Sequence, residues 1–142
     1  MSRADFWDRF ADAGRALLVS GSVIAPMWRR EFRSGSNALT AVIAASAASK
    51  AIKAVWKEPR PNGQNLKSFP SEHAADCFAA ATILRRDSPN AFGPAAMGLA
   101  VAVCFARVFS GKHHVVDVIA GGALGVMTGE MAADYRSPLV EP

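Results

Sequence analysis

From Ser88 to Ala106 the chain carries no charged residue. A run of that length is too long for an ordinary strand and long enough for a helix. Four more apolar stretches share the pattern. One lies between Arg15 and Arg29 (ALLVSGSVIAPMW), one runs from Ser34 to Ser49, one from His73 to Arg85, and one follows Asp117 as far as Gly129. None alternates with the two-residue period of a half-exposed strand. Pro59, Pro61, Gly63, Pro70, Pro89, Gly93 and Pro94 fall mainly between them, where helices end. The reading is all-α: a bundle of about five helices in a single domain over residues 1–142.

A spanning helix needs about 20 mostly apolar residues. Only the Ser88–Ala106 stretch reaches that length unaided. The others complete it with flanking Arg, Lys, Trp or Asp side chains whose polar ends reach the interface. The stretches are apolar all round, and they are rich in Ala, Gly and Ser, which let helices approach closely in lipid. Gly121, Gly125 and Gly129 recur every fourth residue on the last of them. A transmembrane bundle is therefore expected over a soluble one. Arg29, Arg30 and Arg33 share one loop, and Arg85 and Arg86 another. With five spans both loops fall on one side, which the excess of arginine makes cytoplasmic. Loop 55–72 and the turn at 110–113 then face the exterior or periplasm. Trp28 and Trp56 fall at span ends, as interfacial aromatics do. The segment MSRADFWDRFADAGR is charged throughout and does not read as a cleavable leader.

Hydrophobic residues make up 51% of the chain and charged residues 20%, which excludes a disordered protein. A net charge of +4 suits an anionic partner. Few aromatics interleave with the cations, which argues against a nucleic-acid surface. Cys77 and Cys104 are too few for a disulfide scaffold and are expected as buried thiols.

The outer loops hold three polar clusters: Lys53 to Pro61, Phe69 to His73, and Arg107 to Asp117. Together they supply cations, a hydroxyl, imidazoles and a carboxylate. Arginine offers a planar fork to phosphate oxygens and lysine a point charge. Ser71 stands where it can cap the third helix and aim its N-terminal N–H groups at an anion. His113 and Asp117 are four apart, so on a helix they share a face. A carboxylate beside one ring nitrogen leaves the other as a nucleophile. His73 can then protonate a leaving oxygen.

These clusters carry a resemblance. Lys53, six residues and Arg60-Pro61; Pro70-Ser71-Glu72-His73; and Arg107, five residues, His113, three residues and Asp117 resemble the three motifs of the type 2 phosphatidic acid phosphatase (PAP2) superfamily. That superfamily shares its site with vanadium haloperoxidases and bacterial class A acid phosphatases. The motifs span residues 53–117. The resemblance implies a membrane phosphatase acting on a lipid phosphate monoester or an isoprenoid diphosphate. It further implies that Lys53, Arg60 and Arg107 bind phosphate, with Ser71 and the backbone N–H of Glu72 beside them. His113 forms a phosphohistidine, Asp117 orients it, and His73 is the general acid. No metal or other cofactor is implied, because the cations supply the electrostatics of a metal clamp.

Two positions depart from the family pattern. Glu72 replaces a glycine, and Ala106 replaces a serine. Glu72 is expected to point away from the phosphate, and His114 is expected to be a bystander. The rival readings are a vanadate-dependent haloperoxidase-like enzyme and a catalytically silent membrane scaffold of the same fold. Headgroup and oligomeric state are not legible in the sequence.

Overall fold

A computed structural model describes residues 2–88, 90 and 92–135. Pro89, counted above among the helix breakers, lies outside them, as do residues 136–142. Five α-helices follow one another: α1 (Arg3–Trp28), α2 (Phe32–Val55), α3 (Glu72–Asp87), α4 (Phe92–Phe109) and α5 (Val115–Asp134). No strand occurs among the described residues; Glu58 and Lys67 form an isolated bridge in the loop before α3.

The first helix begins well before its apolar stretch. Ser2 and Asp5 form a reciprocal capping box, with the Asp5 N–H donating to Ser2 Oγ at 3.1 Å and the Ser2 N–H to Asp5 Oδ2 at 3.0 Å. The charged segment Arg3–Arg15 is thus one helix with the apolar segment after it. It ends just past Pro26.

The shortest helix, α3, is the centre of the bundle and touches all four others. Ala74, Ala75, Cys77, Ala79, Ala80, Ala81 and Ile83 are buried on every side of it, as a helix apolar all round requires. Three helices, α2, α4 and α5, are long and apolar enough to cross a membrane. Five full spans were expected. The central helix falls short because Glu72, His73, Asp76, Arg85, Arg86 and Asp87 lie on it, and neighbours cover it on all sides. The α1 helix falls short because its first half is charged. Leu17, Leu39, Ile43, Phe105, Ile119 and Met127 point outward from the other helices and are exposed. Such an apolar exterior fits lipid and not water.

The α3–α5 contact sets the site. A Cβ added at Gly121 would collide with the Ser71 carbonyl oxygen, and one at Gly125 with that of Ala75. The two backbones are that close because neither glycine has a side chain. This seats the start of α5 against the start of α3, and the Ser71 N–H donates to the Asp117 carbonyl at 2.9 Å. By contrast, α4 and α5 scarcely meet. Cys77 is buried as expected; Cys104 is only half-buried.

Candidate active site

The three polar clusters meet at one end of the bundle. The last turn of α2 brings Lys53, and the loop from Trp56 to Ser71 brings Arg60. The start of α3 brings Ser71, Glu72 and His73. The end of α4 brings Arg107, and the turn into α5 brings His113 and Asp117.

The turn is built on the backbone of Arg107. Its carbonyl accepts from the N–H groups of Lys112 at 3.1 Å and His113 at 3.3 Å, and from Ser110 Oγ at 3.1 Å. The chain reverses at Gly111, whose φ of 69° falls in the left-handed region that glycine enters freely. His114 is the N-cap of α5. His113 and Asp117 therefore do not share a helix, as their spacing suggested: His113 precedes the helix and Asp117 occupies its first turn. They still face each other, with His113 Nδ1 3.6 Å from Asp117 Oδ2. Both are buried, and neither His113 Nδ1 nor Asp117 Oδ1 has a hydrogen-bond partner. A small rotation of either side chain would close that pair.

Asp117 Oδ2 is held by a hydrogen bond from Ser68 Oγ and by the His114 N–H at 2.8 Å, and His114 Nδ1 stands 3.3 Å away. Ser68, fully buried, is a member of the site that the motifs omit. His114 also touches the site, so it is more than a bystander in position. Its ring, with Glu58 and Asp117, offers three ligand atoms within 4.8 Å of one another, a spacing that would admit a cation.

The cations are poised for an anion. Arg60 Nε and Arg107 Nε are buried with no acceptor, and a buried donor without a partner carries a desolvation cost that an anionic ligand would relieve. Lys53 Nζ donates to the carbonyls of Ser68, at 3.3 Å, and Pro70, which braces the loop that leads into α3. Ser71 caps α3, its Oγ accepting from the Ala74 N–H at 3.4 Å. The Glu72 carboxylate is engaged by Arg15 at 3.5 Å and Lys50 at 3.7 Å. Burial lowers His113 from an ordinary histidine value of 6.5 to about 3, and the nearby charges of Arg107, Arg60 and Lys53 push the same way against Asp117. The free ring is therefore neutral at pH 7, the form that has a nucleophilic lone pair.

The first helix contributes three residues that the motifs do not include. Asp8 Oδ1 lies 2.5 Å from Arg107 Nη1, and its Oδ2 3.5 Å from Lys112 Nζ. Asp12 Oδ1 lies 2.7 Å from His73 Nε2. Arg15 Nε donates to Asp76 at 2.8 Å, a buried carboxylate that also accepts from Ser46 Oγ at 2.6 Å. The sequence does hold a signal for them: Asp8, Asp12 and Arg15 recur at helical spacing on one face of α1.

The protein is thus a helical bundle with an apolar exterior and, at one end, a buried histidine–carboxylate pair ringed by cations. A family model, the PAP2 superfamily, matches residues 35–137, and the chain belongs to that superfamily. A lipid A 1-phosphatase of Porphyromonas gingivalis is 31% identical over 75 residues, which make up 51% of this chain and only 17% of that relative. The crystal structure of Aquifex aeolicus LpxE shares the fold, with a TM-score of 0.82 over 93% of this chain and 86% of that one, at 21% identity.

Proposed function

We propose that this protein removes phosphate from a lipid phosphate monoester or an isoprenoid diphosphate at a membrane surface. The observation that carries the reading is the convergence of buried His113, backed by Asp117, with Lys53, Arg60 and Arg107 at one end of a lipid-facing bundle. The named activity of the Porphyromonas relative supports a lipid substrate.

In the proposed reaction the three cations and the N-terminus of α3, the Glu72 N–H included, hold the phosphate oxygens. His113 Nε2 attacks phosphorus, since Nδ1 faces Asp117. The N–P bond forms as the ester P–O bond breaks, and the His73 imidazolium passes its proton to the leaving oxygen. Water then adds to phosphorus, the N–P bond breaks, and neutral His73 takes up the water proton. Side-chain cations stabilise the charge that develops on the phosphoryl oxygens. The membrane is proposed to be a bacterial inner membrane. Arg29, Arg30, Arg33, Arg85 and Arg86 lie at the far end of the bundle, and that asymmetry supports a periplasmic or outer face for the site.

The test is phosphate release by purified protein in detergent from a lipid phosphate monoester, an isoprenoid diphosphate and p-nitrophenyl phosphate. Lipid substrates are expected to turn over fastest, vanadate to inhibit competitively, and EDTA to leave activity intact. Absence of release from both lipid substrates would overturn the reading. Loss in EDTA with recovery in magnesium or zinc would overturn its metal-free mechanism and direct attention to Glu58, His114 and Asp117.

A further inference from the structure

The pairing of His73 with the first helix goes beyond the three motifs. His73 Nε2 lies 2.7 Å from Asp12 Oδ1, across 61 residues of sequence. The His73 side chain is largely buried, at 16% exposure, while that of Asp12 is 63% exposed. A histidine that must deliver a proton needs its ring fixed in orientation and its protonated form favoured. A carboxylate bonded to one ring nitrogen fixes the orientation, and it favours the protonated ring against burial and the charge of Arg107, which lower His73 from 6.5 to about 4. Both residues line an open cleft of about 540 Å³, whose walls also include Arg15, Val19, Val42 and Asp76.

We propose that Asp12 is a positioning residue for the general acid: it holds His73 through Nε2, so that the proton on Nδ1 is the one transferred to the leaving oxygen. The inference rests on the phosphatase reading above. The proton balance is that of the proposed reaction, with Asp12 remaining a carboxylate throughout.

A general acid matters most when the leaving alkoxide is a strong base, and little when it is a stabilised phenolate. The experiment compares Asp12→Asn and Asp12→Ala with the parent protein on two soluble esters, an n-alkyl phosphate and p-nitrophenyl phosphate. For Asp12→Ala, kcat on the alkyl ester is expected to fall by about tenfold to a hundredfold, the range for losing a hydrogen bond to a charged group. On p-nitrophenyl phosphate the fall is expected to stay under about threefold. Asp12→Asn keeps the shape without the charge and is expected to fall between, and Asp12→Glu to recover part of the loss. His73→Ala is expected to show the same leaving-group selectivity, and adding Asp12→Ala to it should cost nothing further. Equal losses on both esters, no loss on either, or an additive double variant would overturn the proposal. A parent protein that hydrolyses no phosphate ester would instead overturn the phosphatase reading, and this inference with it. Asp12 is exposed on a helix surface and its variants are expected to fold, which thermal unfolding in detergent verifies.

Discussion

At the scale of single residues, the two adjacent histidines sit in different surroundings. His113 is buried and faces Asp117, whereas His114 is exposed in its side chain and contributes its backbone N–H to the same carboxylate. His113→Ala is expected to abolish phosphate release while leaving Lys53, Arg60 and Arg107 able to bind substrate. His114→Ala keeps the backbone donor and is expected to retain activity within about fivefold, since a lost neutral contact is worth about 1 kcal/mol. A dead His114→Ala beside an active His113→Ala would reverse the assignment. The depressed His113 also bears on stability. The unfolded ring takes a proton near 6.5 and the folded one only near 3. Between those values the unfolded state binds more protons, so stability is full above 6.5 and falls as pH drops towards 3. His113→Asn cannot titrate, so its unfolding temperature in detergent should fall less steeply over that window. Parallel profiles for the two proteins would refute the argument.

At the scale of elements, the helix contact that matters most is α3 on α5. Gly125→Ala places a methyl against the Ala75 carbonyl and is expected to cost about 1–3 kcal/mol, the range for overpacking, and to lower activity by moving Asp117 relative to Ser71. Gly98 on α4 has nothing within 4 Å of its missing side chain. There alanine is expected to be neutral, or to stabilise by up to about 1 kcal/mol through helix propensity. Thermal scans of the two variants check both. The four-residue glycine spacing was readable in the sequence, but its partner helix was not, because the periodicity of one helix says nothing about which neighbour it meets. The same limit explains the rest. Apolar stretches and motif spacing revealed five helices and the motif residues. Charge on Arg3–Arg15 hid the start of α1, although Trp7, Phe10 and Ala11 there pack on the core and Ser2 and Asp5 cap the helix. Ser68, Asp8 and Asp12 reach the site only through tertiary contacts. Glu72 was legible in part: its place at a helix start suggested a carboxylate turned from the phosphate, and Arg15 and Lys50 engage it.

At the scale of the whole molecule, charge divides the bundle into two ends. The proposed catalytic groups gather at one. At the other, Arg85 and Arg86 pair with Glu130, and Arg86 with Asp134. Orientation follows from the count of basic residues in short loops and not from net charge, so these pairs leave the arginine signal intact. In a background without Cys77 and Cys104, a cysteine at Asn65 is expected to react with an impermeant maleimide on intact cells, and one at Ser36 is not; the reverse pattern would invert the topology. The long span from α1 to the end of α4 closes in the contact of Asp8 with Arg107 and Lys112. That contact makes the resting site a complex with its own tethered anion, present at a fixed local concentration whatever the solution contains. On the proposed reaction each arriving phosphate binds by exchange, and each departing one is displaced by a resident competitor. Asp8→Asn should therefore tighten inhibition by inorganic phosphate by about tenfold, the worth of roughly 1.4 kcal/mol, so that the variant enzyme is slowed by its own product.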